Sequence, residues 1–391
     1  MESINAFDIV RLPGILFGAG RIAELPEIIH SYGSHVLIIT GGESLKKSGR
    51  WDALAVMLDK TGIKYNTLSV REEPTTELID IIAAEYRQTP VNVVAAVGGG
   101  SAIDCGKAVA AMLRESGSVK DYLEGVGIKK PTGAKVPFIA VPTTAGTGSE
   151  ATKNAVICDR KEGYKKSLRH DAYMPDIALI DPGLTLTLPR HITAACGFDA
   201  FSQLIESYTS TKANVFTDSL ALKAISLAAE SLPGLIFEDN NDIFRRGKMS
   251  YAAMVSGITL SYAGLGAVHG MAGPLGGLIA VPHGIVCGKL LFPVMSFVVK
   301  KIIEGKNATV RKRFADIGRL FINDQDHDDV FYCRQFLDVL QKWTQDLKFP
   351  PLSHFGMKAV DMEKTILLAD SKNSPAVLSK EEMRIILEMI R

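Results

Sequence analysis

The chain has 391 residues, 47% of them apolar and 22% charged, with 44 Lys and Arg against 43 Asp and Glu. This length exceeds one ordinary core and predicts two domains, and the composition is that of a globular protein with ample core material. A net charge of +1, with no long Lys/Arg block, argues against nucleic acid or an anionic membrane surface as the partner.

Met1-Glu2-Ser3-Ile4-Asn5 supplies neither a basic nor an apolar signal region, so a cytoplasmic protein is expected. The richest apolar stretch, from Tyr262 through Leu291, is broken by Pro274 and Pro282 and contains two histidines. It reads as a buried segment, and no membrane span is expected. The cysteines Cys105, Cys158, Cys196, Cys287 and Cys333 are scattered without CxxC spacing. A disulfide framework or a thiolate zinc knot is not expected, and a reducing compartment fits.

In chain order, His35–Thr40, Lys64–Val70, Val91–Val97, Val136–Val141 and Ile177–Ile180 read as strands. Trp51–Thr61 and Thr76–Gln88 read as helices between them. This alternation predicts a parallel, Rossmann-like sheet with helices on both faces. After Asp181-Pro182 the texture becomes helical, as in Asp218–Leu232 and Glu363–Leu368, with no convincing strand. The expected division is an α/β dinucleotide-binding domain over 1–182 and an all-helical metal and substrate domain over 183–391, with a cleft between them.

Two loops follow strands in the first half. Gly98-Gly99-Gly100-Ser101 precedes a helical pattern, so the backbone can approach a ligand closely and the helix-start amides form an anion site. An isolated run of this kind is as readily a tight turn, and it is not the GxGxxG fingerprint. Pro142-Thr143-Thr144-Ala145-Gly146-Thr147-Gly148-Ser149-Glu150 interleaves hydroxyls with glycine. These are poor core material and suit ribose, phosphate or carboxamide, although one of them also suits a helix cap. Two such loops in one sheet favour a nucleotide site.

In the helical half, Asp199 and Gln203 stand four apart and share a helix face. His269 and His283 each precede a glycine in a nearly uncharged segment, where an unpartnered imidazole is costly to bury. A lone buried histidine is usually a satisfied core residue. Two of them with an aspartate suit a divalent ion, zinc or iron(II).

Together these motifs resemble the iron-containing (group III) alcohol dehydrogenase family. Leu12 to Gly20 is similar to its N-terminal strand and turn, Gly98 to Lys107 to its GGGSxxDxxK loop, and Pro142 to Glu150 to its PTTxGTGSE loop. Ala178–Glu206 and the two histidine motifs are similar to its metal signatures. The resemblance implies a dehydroquinate synthase-like superfamily fold and a homodimer. It also implies metal-assisted hydride transfer between NAD(P)(H) and an alcohol, aldehyde or ketone.

Its implied cofactor residues are Gly41, Gly42, Ser44, Gly98, Gly99, Gly100, Ser101, Asp104, Thr143, Thr144, Thr147, Ser149, Asn154 and Lys165, with Lys166 an alternative to the last. Its implied metal residues, which also serve catalysis, are Asp199, His269 and His283. Gln203 stands at the fourth position, where the family has histidine, and offers only a weaker amide oxygen. Fe2+ and Zn2+ both stay open. Gly273 replaces a histidine that relays protons in many members, so the proton must leave by another route.

Gly41 occupies a position where NAD-preferring relatives carry aspartate, and Ser44 with Lys46 and Lys47 suits a 2′-phosphate. Glu43 opposes it. The balance leans to NADP(H) over NAD(H). Two rival readings are a dehydroquinate synthase-like lyase that uses NAD transiently and a catalytically silent dinucleotide-binding protein.

Overall fold

The computed structural model describes residues 4, 6–324 and 326–391. Met1, Glu2, Ser3 and Asn5, on which the expectation of no signal segment rests, lie outside the described residues. The chain forms two compact units. One comprises Ile9–Leu188 with Asn241–Ser250, and the other comprises Pro189–Asn240 and Tyr251–Arg391 with the segment ending at Asp8.

The first unit holds strands β1 (Gly14–Phe17), β2 (His35–Gly41), β3 (Lys64–Val70), β4 (Val93–Gly98), β5 (Phe138–Pro142), β6 (Asn154–Asp159), β7 (Tyr164–Arg169) and β8 (Ile177–Ile180). Six of them form one sheet in the order β1-β8-β5-β4-β2-β3, and every pair in it is parallel. In β2, β4, β5 and β8 the apolar runs are nearly continuous because both sheet faces are covered there. Along β2, Leu37 and Ile39 enter one core with Ala96 and Ala140. Val36 and Ile38 enter the other, with Val93 and Val97.

The expected starts at Val91 and Val136 shift inward by two residues. Val136 instead donates its N–H to the Ala110 carbonyl at 2.9 Å. The antiparallel pair β6 and β7 was not expected from the sequence. Its strands are short, β7 is polar, and its turn carries Gly163 at φ 69°.

The strand order sets where a ligand belongs. From β2 the chain moves outward to β3, then returns across β2 to β4 and continues to β5. The direction of winding therefore reverses between β2 and β4, and open parallel sheets bind ligands at the carboxyl ends of the strands beside such a reversal.

Among its described residues the second unit forms helices and no strand. Helix Val215–Phe237 contains Asp218–Leu232, and helix Ala359–Leu368 contains Glu363–Leu368. Val215–Phe237 has the length and mean hydropathy (1.5) of a membrane span, yet Ala221, Ala224, Ile225, Ala228 and Leu232 along it are buried. The stretch from Tyr262 to Leu291 becomes helix Ala267–Leu278 and the start of helix His283–Glu304.

Candidate active site

In the sheet unit, the three expected cofactor segments end adjacent strands β2, β4 and β5. A Cβ on Gly98 would lie 2.8 Å from the Gly41 nitrogen and 2.6 Å from the Ala102 Cβ, so only glycine permits the approach of β2 to β4 here. Thr143 N–H donates to the Gly98 carbonyl at 2.9 Å, fastening the third segment alongside. A Cβ on Gly99 would stand 3.4 Å from Thr144, and one on Gly100 would stand 2.8 Å from the Thr147 hydroxyl. The helix Gly100–Met112 starts here, and its cap residue Gly99 offers no side-chain acceptor to the first amides. A backbone cradle at a helix start, walled by half-buried Thr143, Thr144 and Thr147, fits a dinucleotide pyrophosphate.

Behind this cradle, Asp104 and Ser149 turn inward. Ser149 donates its hydroxyl to Asp104, whose other oxygen accepts from Val156 N–H at 3.0 Å. The buried Lys107 ammonium donates to the Ser149 carbonyl at 2.8 Å, the Thr152 hydroxyl at 2.8 Å and the Asn154 carbonyl at 2.7 Å. Asp104 and Ser149, expected among the cofactor contacts, are thus engaged in joining the glycine loop, the Pro-Thr loop and β6.

Burial pushes the Lys107 ammonium down to about 8, against the pull of Asp104 and Glu150. The amide oxygen of Asn154 is buried without a protein partner, an open acceptor beside the cradle. Lys165 pairs with Glu73 at 2.6 Å. At the end of β2, Glu43 pairs with both Lys47 and Arg71 at 3.0 Å, so two cations face the one acid of that turn.

In the helical unit, Asp199 and Gln203 lie on helix Arg190–Thr209, His269 on Ala267–Leu278, and His283 opens His283–Glu304. The structure brings Asp199, His269 and His283 together and adds Cys287. One donor atom from each lies within 4.8 Å of all the others. The Asp199 carboxylate is 3.3 Å from His269 Nε2 and 3.8 Å from His283 Nε2.

The glycines beside the histidines are packing requirements. A Cβ on Gly284 would lie 2.1 Å from the Ala195 carbonyl oxygen, so glycine lets the His283 helix press against the Asp199 helix. Where a relay histidine is missing, a Cβ on Gly273 would meet nothing within 4 Å.

Two residues without an expected role hold this centre. Glu206 accepts from Val268 N–H at 2.6 Å and lies 2.6 Å from His269 Nδ1. That contact places the ring proton on Nδ1 and leaves Nε2 to face Asp199. Cys287 Sγ lies 3.6 Å from His269 Nε2 and 3.5 Å from His283 Nε2.

Gln203 contacts the Asp199 carboxylate. Its amide nitrogen donates to Asp199 Oδ1 at 3.0 Å, and its oxygen lies 2.7 Å from the Ser256 hydroxyl. Burial opposes charge throughout the group, yet His283 and His269 hold the Asp199 carboxyl and the Cys287 thiol below their ordinary values. Cys287 and Asp199 in turn raise both imidazoles against the same burial. A carboxylate, two imidazoles and a thiol converging at one point, buried except at His283, fit a divalent cation.

Residues 13–182 match the family described as iron-containing alcohol dehydrogenase, and residues 193–390 match the C-terminal domain of the same family. The choline dehydrogenase of Bacillus subtilis is 34% identical over 368 residues, covering 93% of this chain and 89% of that protein. The probable alcohol dehydrogenase EutG of Escherichia coli is 33% identical over 320 residues, 82% of this chain and 78% of its own. The solved alcohol dehydrogenase from Oenococcus oeni superposes with a TM-score of 0.87 at 28% identity, covering 99% of this chain and all (100%) of that one.

Proposed function

The chain belongs to the iron-containing alcohol dehydrogenase family, and from that premise we propose how it carries out the family's reaction and with which residues. It is an NAD(P)-dependent oxidoreductase that interconverts an alcohol with its aldehyde or ketone, and it uses a nicotinamide cofactor and a metal. The family match over both halves speaks against the lyase reading. The observation that carries the proposal is the convergence of Asp199, His269 and His283 donors within 4.8 Å of one another.

Asp199, His269 and His283 hold the metal. A bound divalent cation there supplies Lewis-acid stabilisation to the substrate oxygen. Glu206 keeps the proton on His269 Nδ1. The Gly98–Ser101 loop, with Thr143, Thr144 and Thr147, receives the pyrophosphate and orients the cofactor. Asn154 supplies a carbonyl acceptor. Proton release from the substrate does not use residue 273, which has no side chain.

NADP(H) is the preferred cofactor. The one acid that opposes a 2′-phosphate, Glu43, is matched by Lys47 and Arg71, and Lys46 adds a further positive charge. The substrates are small alcohols and aldehydes, and the protein works as a cytoplasmic dimer. The test is NADPH oxidation across a panel of short aldehydes and ketones, beside His269→Ala and His283→Ala. Turnover should vanish in both variants while dinucleotide affinity holds. Tight dinucleotide binding without turnover of any panel member in the metal-loaded parent would overturn the reading.

A further inference from the structure

We infer that Cys287, and not Gln203, completes the protein side of the metal centre, giving an Asp199-His269-His283-Cys287 ligand set that retains zinc in preference to iron(II) and meets the substrate oxygen as a fifth ligand. This rests on the reading of Asp199, His269 and His283 as metal-holding residues.

The distances carry the inference. Zinc bonds to nitrogen or oxygen of about 2.05 Å and to sulfur of about 2.3 Å, arranged tetrahedrally, require edges of about 3.3 Å between light donors and about 3.6 Å from sulfur to nitrogen. Four of the six edges are 3.3 and 3.8 Å from Asp199 to the imidazoles and 3.6 and 3.5 Å from Cys287 to them; the other two, Asp199 to Cys287 and His269 to His283, lie within 4.8 Å. Core cysteines ordinarily pack among aliphatic groups. This fully buried sulfur instead faces two imidazole nitrogens. Its place one helical turn beyond His283 puts both side chains on one face.

Gln203 is oriented for a different task. Its amide nitrogen meets the Asp199 oxygen at 3.0 Å. Reversing the amide would set two acceptor oxygens face to face at that distance. Gln203 therefore steadies a ligand from outside the coordination sphere, as carboxylate ligands generally require. Thiolate ligation favours zinc over iron(II), which also stands lower in the affinity order of divalent ions. On binding, the metal–sulfur bond replaces the S–H bond and the proton passes to solvent.

The test is X-ray absorption at the zinc edge of the full-length, unmutated protein loaded with Zn2+. A sulfur shell at about 2.3 Å beside nitrogen and oxygen at about 2.0–2.2 Å is expected. Cys287→Ser should lose that shell and weaken zinc binding by more than about 100-fold, beyond what outer-sphere changes cost. Gln203→Ala should keep the shell and stay within the outer-sphere range of about 10–100-fold. A sulfur-free spectrum from the parent, or a sulfur shell that persists in Cys287→Ser, would overturn the assignment. Retention of iron(II) over zinc in anaerobic equimolar competition would overturn the selectivity. Because the first spectrum needs no variant, misfolding of Cys287→Ser cannot obscure the result. A protein with the sulfur shell that reduces no aldehyde would keep this ligand set and defeat the functional reading alone.

Discussion

The carboxylate of Glu206 lies 2.6 Å from Nδ1 of His269 and so decides which ring nitrogen faces Asp199. The same carboxylate accepts the Val268 N–H at 2.6 Å, so it also pins the start of the helix that carries the histidine. Glu206→Gln keeps an acceptor for Nδ1–H but removes the charge that raises the ring's basicity. Outer-sphere partners of this type are worth about 10–100-fold in metal affinity, and a loss of that size is expected. Zinc titration against a competing chelator measures it, with dinucleotide affinity as the control. Unchanged zinc affinity would remove Glu206 from the centre.

Gly99→Val tests the cradle. The first carbon of the new side chain would stand 3.4 Å from Thr144, and the branches beyond it would enter the space through which the backbone meets the pyrophosphate. A clash of about 1.4 kcal/mol raises the cofactor KM about tenfold, and at least that is expected while metal content stays constant. An unaltered cofactor KM would reduce Gly98–Ser101 to a turn.

What the sequence made legible follows from how local each signal is. The strands β2 and β8 could be read because apolar runs bounded by turns need no tertiary knowledge, and the helical half because its period is sustained. The β6–β7 hairpin escaped because Tyr164–Arg169 carries Lys165, Lys166 and Arg169, which reads as a solvated stretch. The convergence of Asp199, His269 and His283 could be anticipated from residue type and motif. Cys287 was passed over because a cysteine in VCGKLL without CxxC spacing reads as a small apolar residue. Its position four residues after His283 was the available signal. Glu206 lay in the quoted motif, but its partnership spans 63 positions, and no local pattern encodes that.

Lys107 shows how a residue of a cofactor motif serves the fold. Its side chain is 1% exposed, and its ammonium satisfies three acceptors from Ser149, Thr152 and Asn154. Lys107→Met leaves those acceptors and the Asp104 carboxylate without a cation. Removing one partner of a buried charged group costs about 3–5 kcal/mol, and denaturant unfolding should register a loss of that order. A loss below about 1 kcal/mol would mean that water replaces the ammonium without penalty.

Glu150 gives the protein a pH signature. Burial pushes its carboxyl from 4.5 up to about 7, against the pull of its own backbone N–H and of Lys107. Between these values the folded state holds a proton that the unfolded state has released. The stability it contributes is therefore complete below about 4.5 and is lost as pH rises through 7. The integrated loss is about 3 kcal/mol. Glu150→Gln cannot titrate, so the stability difference between parent and variant should shift against the parent by that order from pH 4.5 to 8. Parallel stability–pH curves for the two proteins would show that the Glu150 carboxyl is not perturbed.

Placing an imidazole at position 203 tests the geometry of the centre from the opposite side. Gln203 lies one turn beyond Asp199 on the same helix, with its amide nitrogen already 3.0 Å from the Asp199 oxygen. That separation is close to the edge of about 3.3 Å between light donors in a tetrahedral zinc site. A ring nitrogen at this point can therefore enter coordination without backbone movement. The cost is the contact with Ser256 at 2.7 Å, worth about 1 kcal/mol of fold stability and not of metal affinity. In the Cys287→Ser background, where three strong ligands remain, Gln203→His should restore a fourth and raise zinc retention under chelator dialysis by about tenfold or more. That factor corresponds to about 1.4 kcal/mol, modest for one added nitrogen donor. Zinc retention in the double variant no better than in Cys287→Ser would place residue 203 out of reach of the metal.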